Sequence, residues 1–306
     1  MPSIQTSLGA LPARFRRERV LIIGCGDVGL RVARQLPRPV RLLALTRSSE
    51  HVAPMRALGI TPLSGDLDQA HTLRRLAGVA NRVVHLAPPP GEGPGDPRTV
   101  ALLRALQRRG RVSALVYGST SGVYGDCAGA VVTETRAPAA HTQRAQRRIQ
   151  AEAAVRFAGR AAGMRASILR IPGIYAPDRD GGMPLERLRK GTPVLQAADD
   201  VFTNHIHAND LARACVAALW RGRPQRIYNV NDDSALKMGD YFDLAADLFG
   251  LPRPPRVARS TAQGHLPLAL LSFMSESRRM DNTRMKRELR LQLNYPTVAT
   301  GLVSGG

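Results

Sequence analysis

A glycine-rich turn between an apolar run and a helix-like segment constrains this 306-residue chain more than any other feature. Residues 19–23 read RVLII and end at the turn GCGDVG, residues 24–29, after which residues 30–36 have helical spacing up to Pro37. The apolar run predicts a buried strand, and the spacing that follows it predicts a helix. A G-x-G-x-x-G turn between a strand and a helix is typical of folds that bind a dinucleotide.

Strands and helices are predicted to alternate as far as residue 171. Further strands are predicted at residues 40–45, 60–64, 82–87, 112–117 and 166–171, and helices at 49–58, 69–77, 96–109 and 141–162. Continuous apolar strands that alternate with helices are typical of a parallel sheet covered on both faces. The sequence therefore predicts an α/β fold with a Rossmann-type, doubly wound parallel sheet.

The alternation weakens in the second half of the chain. A short helix is predicted at residues 184–189, strands at 204–207 and 226–230, and helices at 210–220, 237–249, 261–271 and 281–289. We predict an N-terminal tail at residues 1–18 and a NAD(P)-binding Rossmann domain at 19–172, to which 203–230 return. Residues 173–202 and 231–306 are predicted to form a smaller, mainly helical C-terminal portion that binds the substrate.

The three glycines of the turn have different predicted roles. Gly24 permits the tight turn, Gly26 lets the backbone approach a diphosphate, and Gly29 allows close packing of the helix on the sheet. The phosphates are expected at the positive end of the helix, near residues 27–30. The residues predicted to contact the cofactor from this turn and from the ends of the next three strands are Gly24, Gly26, Asp27, Val28, Gly29, Thr46, Arg47, Ser48, Asp66, Leu67, Leu86, Ala87 and Pro88.

The end of the second strand favours NADP(H) over NAD(H). An acidic residue there would bind the ribose 2′-hydroxyl of NAD. The strand ends instead in Thr46-Arg47-Ser48, and the nearest acid is Glu50, beyond the expected position. Arg47 and Ser48 are suited to bind a 2′-phosphate. The alternative interpretation of Arg47, in so arginine-rich a chain, is a solvated surface residue without a ligand.

The chain is strongly basic, with 44 Lys and Arg against 24 Asp and Glu and a net charge of +20. Such a charge is often a sign of nucleic-acid binding. Of the basic residues, only Lys190, Lys237 and Lys286 are lysine, and the arginines are spread over most of the chain without a long basic block or a basic-aromatic patch. We therefore attribute the charge to a compositional bias and expect no specific nucleic-acid partner, although weak, salt-dependent binding of polyanions is expected.

Cysteine and hydropathy patterns favour a cytoplasmic protein. Cys25, Cys127 and Cys215 are scattered singly, which fits neither a disulfide framework nor paired metal ligands. No apolar run approaches the roughly 18 residues that a membrane-spanning helix needs, and no signal peptide is recognisable. His205 and His207 share a strand face, but no third ligand stands at a suitable spacing, so no metal is expected.

The order of several motifs resembles that of extended short-chain dehydrogenases/reductases, the NAD-dependent epimerase/dehydratase-like group. The motifs are the glycine turn at 24–29, GDL at 65–67, HLA at 85–87, GSTSGVYG at 118–125, LRIPGIY at 169–175, IHANDLA at 206–212 and IYNV at 227–230. The glycine spacing and the Ala-Pro-Pro-Pro segment at 87–90 look more like an atypical subgroup of NAD(P)-dependent oxidoreductases. The resemblance extends from Val20 to about Gly250 and implies a Rossmann fold and a nicotinamide cofactor.

The resemblance also implies an active-site pattern, from which this sequence departs. Members bind the substrate oxygen with a Ser or Thr, which Thr120 matches, and transfer a proton with a Tyr that is followed four residues later by a Lys. Alignment on Ala151-Glu152 places Arg144 at the Tyr position and Arg148 at the Lys position. Arg148 could still anchor a ribose or a phosphate, but an arginine stays protonated and is a poor acid-base.

Tyr124 is the candidate that we name as a substitute acid-base, the alternative being an aromatic side chain that packs in the wall of the cleft. Tyr175 and His141 could in principle also move a proton. With Thr120 and Tyr124 as candidate catalytic residues, the sequence predicts an NAD(P)-dependent oxidoreductase that acts on a polar small molecule, for which a nucleotide-sugar-like compound is one candidate. A catalytically silent NADP(H) sensor is the main alternative, and a nucleic-acid-binding protein is a weaker one. Arg144, Arg148 and Arg179 would suit an anionic small-molecule substrate, and the resemblance suggests a homodimer formed through a helix pair.

Overall fold

The computed structural model describes residues 18–109, 112–262, 264, 266, 271–272 and 274–304. Strands and helices alternate over much of this part of the chain. These strands are β1 (Arg19–Ile23), β2 (Arg41–Thr46), β3 (Ile60–Ser64), β4 (Arg82–His85), β5 (Ala114–Thr120), β6 (Val131–Val132), β7 (Arg165–Ile171), β8 (Gly173–Tyr175), β9 (Val194–Leu195), β10 (Phe202–Thr203), β11 (His205–His207), β12 (Arg226–Asn229), β13 (Leu236–Lys237), β14 (Arg256–Val257) and β15 (Arg279–Met280).

Helices connect most of the long strands. They are α1 (Asp27–Gln35), α2 (Val52–Ala57), α3 (Pro97–Gln107), α4 (Gln143–Ala161), α5 (Leu185–Arg189), α6 (Ala208–Arg221), α7 (Met238–Phe249), α8 (Arg259–Ala262), α9 (Thr283–Glu288) and α10 (Val298–Leu302). Among the described residues, 3₁₀ helices span Ser49–His51, Ala70–Leu76 and Ser121–Tyr124. None of the helices within the described ranges is both long and apolar enough to span a membrane.

Seven strands form one parallel sheet in the order β12-β7-β5-β4-β1-β2-β3. The predicted Rossmann-type, doubly wound sheet is therefore confirmed. The chain moves outward from β1 through β2 to β3, and then returns to the other side of β1 with β4. A crevice forms at such a reversal of strand order, beyond the carboxyl ends of the strands, and this is where ligands bind in open α/β sheets.

Both faces of the sheet are buried, which explains the continuous apolar strands. On β1, Val20 and Ile22 belong to one hydrophobic cluster, and Leu21 and Ile23 belong to the cluster on the opposite face. Successive side chains of a strand point to opposite faces, so a strand covered on both sides has no polar face. A third cluster, which includes Val194 and other residues from the second half of the chain, forms a separate core.

Several details differ from the prediction. The segment 69–77 is predicted as an α-helix but contains the 3₁₀ helix Ala70–Leu76, because Thr72 Oγ1 donates to the backbone oxygen of Gln69 and accepts from the N–H of Asp66. Such local side-chain bonds compete with the α-helical pattern. The four short strand pairs outside the main sheet have no counterpart in the prediction, apart from the strand predicted at 204–207.

Two predicted segments fall wholly or partly on residues that the structure does not describe. The predicted tail lies outside the described residues except for residue 18, and most of the predicted helix 261–271 also lies outside them. The proposed division of the chain into a cofactor domain and a substrate portion stays a prediction. It is compatible with β12, which returns to the sheet beside β7.

Candidate functional site

The glycine turn lies at the carboxyl end of β1, at the point where the strand order reverses. Gly24 has a φ of +85°, and a Cβ there would lie 2.4 Å from the backbone nitrogen of Ala87, so any side chain would collide with the end of β4. A Cβ on Gly29 would lie 2.7 Å from the Gly24 oxygen, so only glycine allows α1 to pack this closely on the turn. These two glycines are required by the fold itself.

Gly26 differs because no heavy atom lies within 4 Å of the position that its Cβ would take. Helix α1 begins at the next residue, Asp27, and no side chain caps it. Its first backbone N–H groups, which have no intrahelical acceptor, therefore have no side-chain acceptor either. Such an end carries a partial positive charge and is suited to an anion. Open space and uncapped amides thus coincide where the sequence predicts a diphosphate, and the turn fits a bound dinucleotide.

A cavity of about 250 Å³ lies beside the turn. The residues that line it come from the ends of β1, β2, β3 and β4, with one from α3: Ile23, Gly24, Leu45, Arg47, Gly65, Asp66, Leu67, Asp68, Ala87, Pro88 and Arg98. Of the predicted cofactor residues, Gly24, Arg47, Asp66, Leu67, Ala87 and Pro88 are therefore together in one wall. Its position matches the edge of the sheet along which a dinucleotide lies.

Arg98 and Asp68 close one side of this cavity. The guanidinium donates through Nε and Nη2 to the two carboxylate oxygens, each at 2.6 Å, and through Nη1 to the Pro88 oxygen at 3.3 Å. The Arg98 bonds hold the pKa of Asp68 below its usual value, and the charge of Arg47 adds to this effect. The prediction missed Asp68 and Arg98. Asp68, two residues after Asp66, was a usable signal, whereas nothing local distinguished Arg98 from the other arginines.

Thr46 and Ser48 stabilise the turn that carries Arg47. Thr46 Oγ1 donates to the Ser48 backbone oxygen at 3.1 Å, and Ser48 Oγ accepts from the N–H of Glu50 at 3.3 Å. The turn thus uses both hydroxyls, while Arg47 extends along the cavity wall. Their roles in binding a 2′-phosphate stay predictions.

The Pro/Gly-rich loop after β4 is fastened to α4 by one buried arginine. Arg147, which is 5% exposed, donates through Nη1 to the Gly93 oxygen at 2.9 Å and through Nη2 to the Gly91 oxygen at 2.7 Å. Two charged bonds to main-chain oxygens fix the path of a loop that has few side chains of its own. No local pattern distinguishes Arg147 from the neighbouring arginines of α4, so its inward orientation was not predicted.

Arg148, the next residue of α4, reaches the end of β5. Its Nη1 donates to the Gly118 oxygen at 2.7 Å and to Tyr117 Oη at 3.1 Å. Burial raises the pKa of Tyr117 to about 12, although the charge of Arg148 opposes the shift. Burial and the same charge lower the pKa of the adjacent His85 to about 3, so this histidine stays neutral. Arg148 is thus held beside the sheet edge predicted to carry the cofactor.

The two candidate catalytic residues have different surroundings. Thr120 ends β5 half-buried, and its Oγ1 accepts from the N–H of Gly122 at 3.3 Å. Tyr124 is fully buried, and its hydroxyl donates to Asn229 Oδ1 at 2.6 Å. Burial raises the pKa of Tyr124, against the opposing charge of Arg170. The Tyr124 hydroxyl therefore faces the protein interior in this arrangement, as expected for a packing residue.

An ion pair supports the strand that ends in Thr120. Arg170 on β7 donates to Glu152 on α4 through Nε at 3.2 Å and through Nη2 at 2.9 Å, and both side chains are almost completely buried. Ser119 donates to Glu152 Oε1 at 2.6 Å. A buried carboxylate that accepts three bonds fixes the relative positions of β5, β7 and α4.

No metal site is found within the described ranges, where no group of three or more His, Cys, Asp or Glu side chains converges. His205 is buried and stacks on Tyr241 with ring centres 4.3 Å apart, and His207 Nδ1 accepts from the N–H of Asn209. Cys25, inside the glycine turn, has a pKa raised to about 11 by burial, which makes it an inert packing residue.

The sequence and the fold match known proteins. The sequence matches the family described as "NAD dependent epimerase/dehydratase family" over residues 20–231. A solved conserved protein of unknown function from Silicibacter pomeroyi is 28% identical, with a TM-score of 0.78 over 94% of this chain and 97% of that one. A search of the curated proteins finds no match.

Two further solved structures share the fold. UDP-glucuronic acid 4-epimerase from Bacillus cereus, in complex with NAD, is 17% identical, with a TM-score of 0.73 over 92% of this chain and 95% of that one. MoeE5, in complex with UDP-glucose and NAD, is 22% identical, with a TM-score of 0.72 over 92% and 95%. Since the family match extends from the first strand of the sheet to just beyond the last, this chain belongs to the NAD dependent epimerase/dehydratase family.

Proposed function

We propose that this protein is an NADP(H)-dependent oxidoreductase that acts on an anionic small molecule. The observation that carries the cofactor preference is the position of Arg47 in the wall of the cavity at the end of β2. None of the residues 46–48 at the end of β2 is acidic, and the first acidic residue after the strand is Glu50. A guanidinium there would bind a 2′-phosphate with charged hydrogen bonds, whereas NAD would lack its usual acidic partner.

The residues of this chain would divide the work of binding and orientation. The amides at the start of α1 would bind the diphosphate, the cavity would hold the adenosine, and Arg148 would anchor the ribose next to the nicotinamide. A bound nicotinamide cofactor would supply hydride transfer. Thr120, at the end of β5, would bind the substrate oxygen. We assign no proton donor, because Tyr124 Oη donates to Asn229 and Arg148 stays protonated.

An anionic substrate fits the arginines around the cleft. Arg144 and Arg148 stand on α4 where the family has Tyr and Lys, and one of the solved structures named above, MoeE5, is a complex with UDP-glucose. A carboxylate or phosphate would be bound well by a pair of guanidinium groups. Arg144→Ala should weaken substrate binding, and Arg148→Ala should weaken the binding of both cofactor and substrate. Unchanged affinity for both ligands in both variants would contradict this part of the proposal.

A catalytically silent NADP(H) sensor is the second candidate. It is favoured by the internal hydrogen bond of Tyr124 together with the arginines at positions 144 and 148. Both candidates require dinucleotide binding, so turnover is what separates them. A screen of UDP-sugars and other phosphate or carboxylate substrates, in which both NADPH absorbance and the products are measured, would distinguish an enzyme from a sensor.

We also propose that the protein is cytoplasmic and that it forms a homodimer. All three cysteines are free, as suits a reducing compartment. Helices α3 and α4 cover one face of the sheet, and Phe157 on α4 is 68% exposed. A second copy packed against these helices would cover that ring. Analytical ultracentrifugation of Phe157→Glu beside the unaltered protein would test the dimer.

The first experiment is a calorimetric titration with NADPH, NADP, NADH and NAD. We expect the tightest binding for the phosphorylated cofactors. Arg47→Asp should shift the preference toward NADH, because it replaces the 2′-phosphate partner with a 2′-hydroxyl partner. Arg41→Asp is the matched control, because Arg41 is exposed at the start of β2 and the variant makes the same change of charge. It should leave the cofactor preference unchanged. If none of the four dinucleotides binds, both candidate functions are wrong.

A further inference from the structure

A salt bridge joins the glycine turn to the segment that follows β8. Arg179 Nη1 donates to Asp27 Oδ2, and Asp27 Oδ1 accepts from Arg31 Nε at 2.9 Å. Arg31 continues the network to Asp178 Oδ1, at 2.7 Å. The first helical residue after the glycine turn is therefore linked to a segment far away in the sequence, which is predicted to belong to the substrate portion.

The position of Asp27 creates an electrostatic problem for a dinucleotide. Its carboxylate is 34% exposed at the first residue of α1 and directly follows Gly26, beside which the space is open. A diphosphate bound at this helix end would place two negative charges near a third. Like charges at this distance oppose binding unless a cation lies beside them.

Arg179 is suited to be that cation. Its side chain is 26% exposed, so it borders solvent and is not locked in the interior. Apart from Nη1, its guanidinium N–H groups have no hydrogen-bond partner among the residues that the structure describes. Arg31 is less suitable, because it is 5% exposed and its guanidinium also bonds to Asp178 and Asn209.

We propose that Arg179 binds the diphosphate of the dinucleotide, while it remains paired with Asp27, and so completes the cofactor site from the substrate side of the cleft. The proposal rests on the proposed dinucleotide binding and deepens it. It gives Arg179 a cofactor role, whereas the sequence alone suggested a role toward the substrate. A contact of this kind is a charge-assisted hydrogen bond, for which a loss of about tenfold in affinity is expected on removal.

The test compares Arg179→Gln with Arg34→Gln by calorimetry at fixed ionic strength. Arg34 lies exposed on the same helix as Asp27 and makes no ion pair with the described residues, so its variant controls for the loss of one charge. Two ligands are titrated: NADPH and adenosine 2′-monophosphate, which carries the adenine and the 2′-phosphate but no diphosphate. Arg179→Gln should weaken NADPH binding about tenfold and leave the monophosphate unaffected.

The proposal is overturned if Arg179→Gln weakens NADPH no more than Arg34→Gln does, or if it weakens both ligands equally. Failure of the unaltered protein to bind NADPH would overturn the proposed function and this proposal with it. Tight wild-type binding that survives Arg179→Gln would overturn this proposal alone.

Discussion

The hydroxyl of Tyr124 donates to Asn229 Oδ1 at 2.6 Å, and the amide of Asn229 is itself fixed, since its Nδ2 donates to the backbone oxygens of Val132 and Asp281. Both side chains are fully buried. The asparagine can therefore offer only an acceptor to the tyrosine. The pair joins the loop after β5 to the end of β12, and its first consequence concerns stability.

Tyr124→Phe should lower the free energy of unfolding by about 1–3 kcal/mol, because it leaves Asn229 Oδ1 buried without a donor. Urea denaturation measures the change, and NADPH affinity should not alter. Tyr295→Phe is the control, as its hydroxyl has no hydrogen bond within the described part of the chain. If Tyr124→Phe abolishes turnover of an identified substrate at unchanged stability, Tyr124 is the acid-base after all.

Gly26→Ala and Gly24→Ala should separate binding from folding. A Cβ at Gly26 meets nothing within 4 Å, so the free energy of unfolding should change by less than about 1 kcal/mol while NADPH affinity falls at least tenfold. A Cβ at Gly24 meets Ala87 at a φ of +85°, so unfolding should become easier by about 3 kcal/mol. Thermal unfolding and calorimetry measure the two effects. Undiminished NADPH binding by Gly26→Ala would mean that the diphosphate does not pass over this residue.

Glu152→Gln should destabilise the protein by about 3–5 kcal/mol, because it leaves the guanidinium of Arg170 buried without a counter-charge. Glu186→Gln, which breaks a solvent-exposed pair with Lys190, should cause no measurable change. Chemical denaturation of the two variants tests the contrast. Equal stability of both variants would show that the Glu152 pair is not a structural link between α4 and β7.

Asp232 should make stability fall as the pH rises. Burial raises the pKa of this carboxyl from 3.8 to about 8, while Tyr175 Oη donates to it at 3.4 Å. Between about pH 4 and pH 8 the unfolded chain loses a proton that the folded protein keeps, so the free energy of unfolding decreases over this window. Asp232→Asn removes the effect and should gain stability relative to wild type as the pH rises from 5 to about 8. Denaturation curves of both proteins at several pH values measure this. A difference in free energy of unfolding between variant and wild type that does not change with pH would contradict the prediction.

Local patterns sufficed for the sheet and for part of the site. Each strand of the main sheet and each long helix overlaps a segment predicted from the sequence, and the glycine turn identified the crevice. The cavity is lined by Arg47, Asp66 and Ala87, which are far apart in the chain but follow parallel strands on either side of β1 in the same sheet. Parallel strands bring their carboxyl ends to one edge, so the topology made this grouping predictable.

Other contacts were not predictable, because they depend on single residues that meet over long distances. Arg98 pairs with Asp68, and β15 pairs with β6 through Arg279 and Val131, without any periodic signal. In a chain so rich in arginine, the sequence does not show which guanidinium is buried. Arg170 is 1% exposed, whereas Arg156, also within the matched region, lies on the surface.

The bonds from Arg147 to Gly91 and Gly93 have a mechanical consequence. One side chain therefore joins the loop that follows Pro88, a residue that lines the cavity beside the glycine turn, to the helix that carries Arg148. A shift of α4 toward an incoming substrate would pull this loop with it. In the proposed function these two elements contact opposite ends of the cofactor, so substrate and cofactor affinity would be thermodynamically coupled through a single guanidinium.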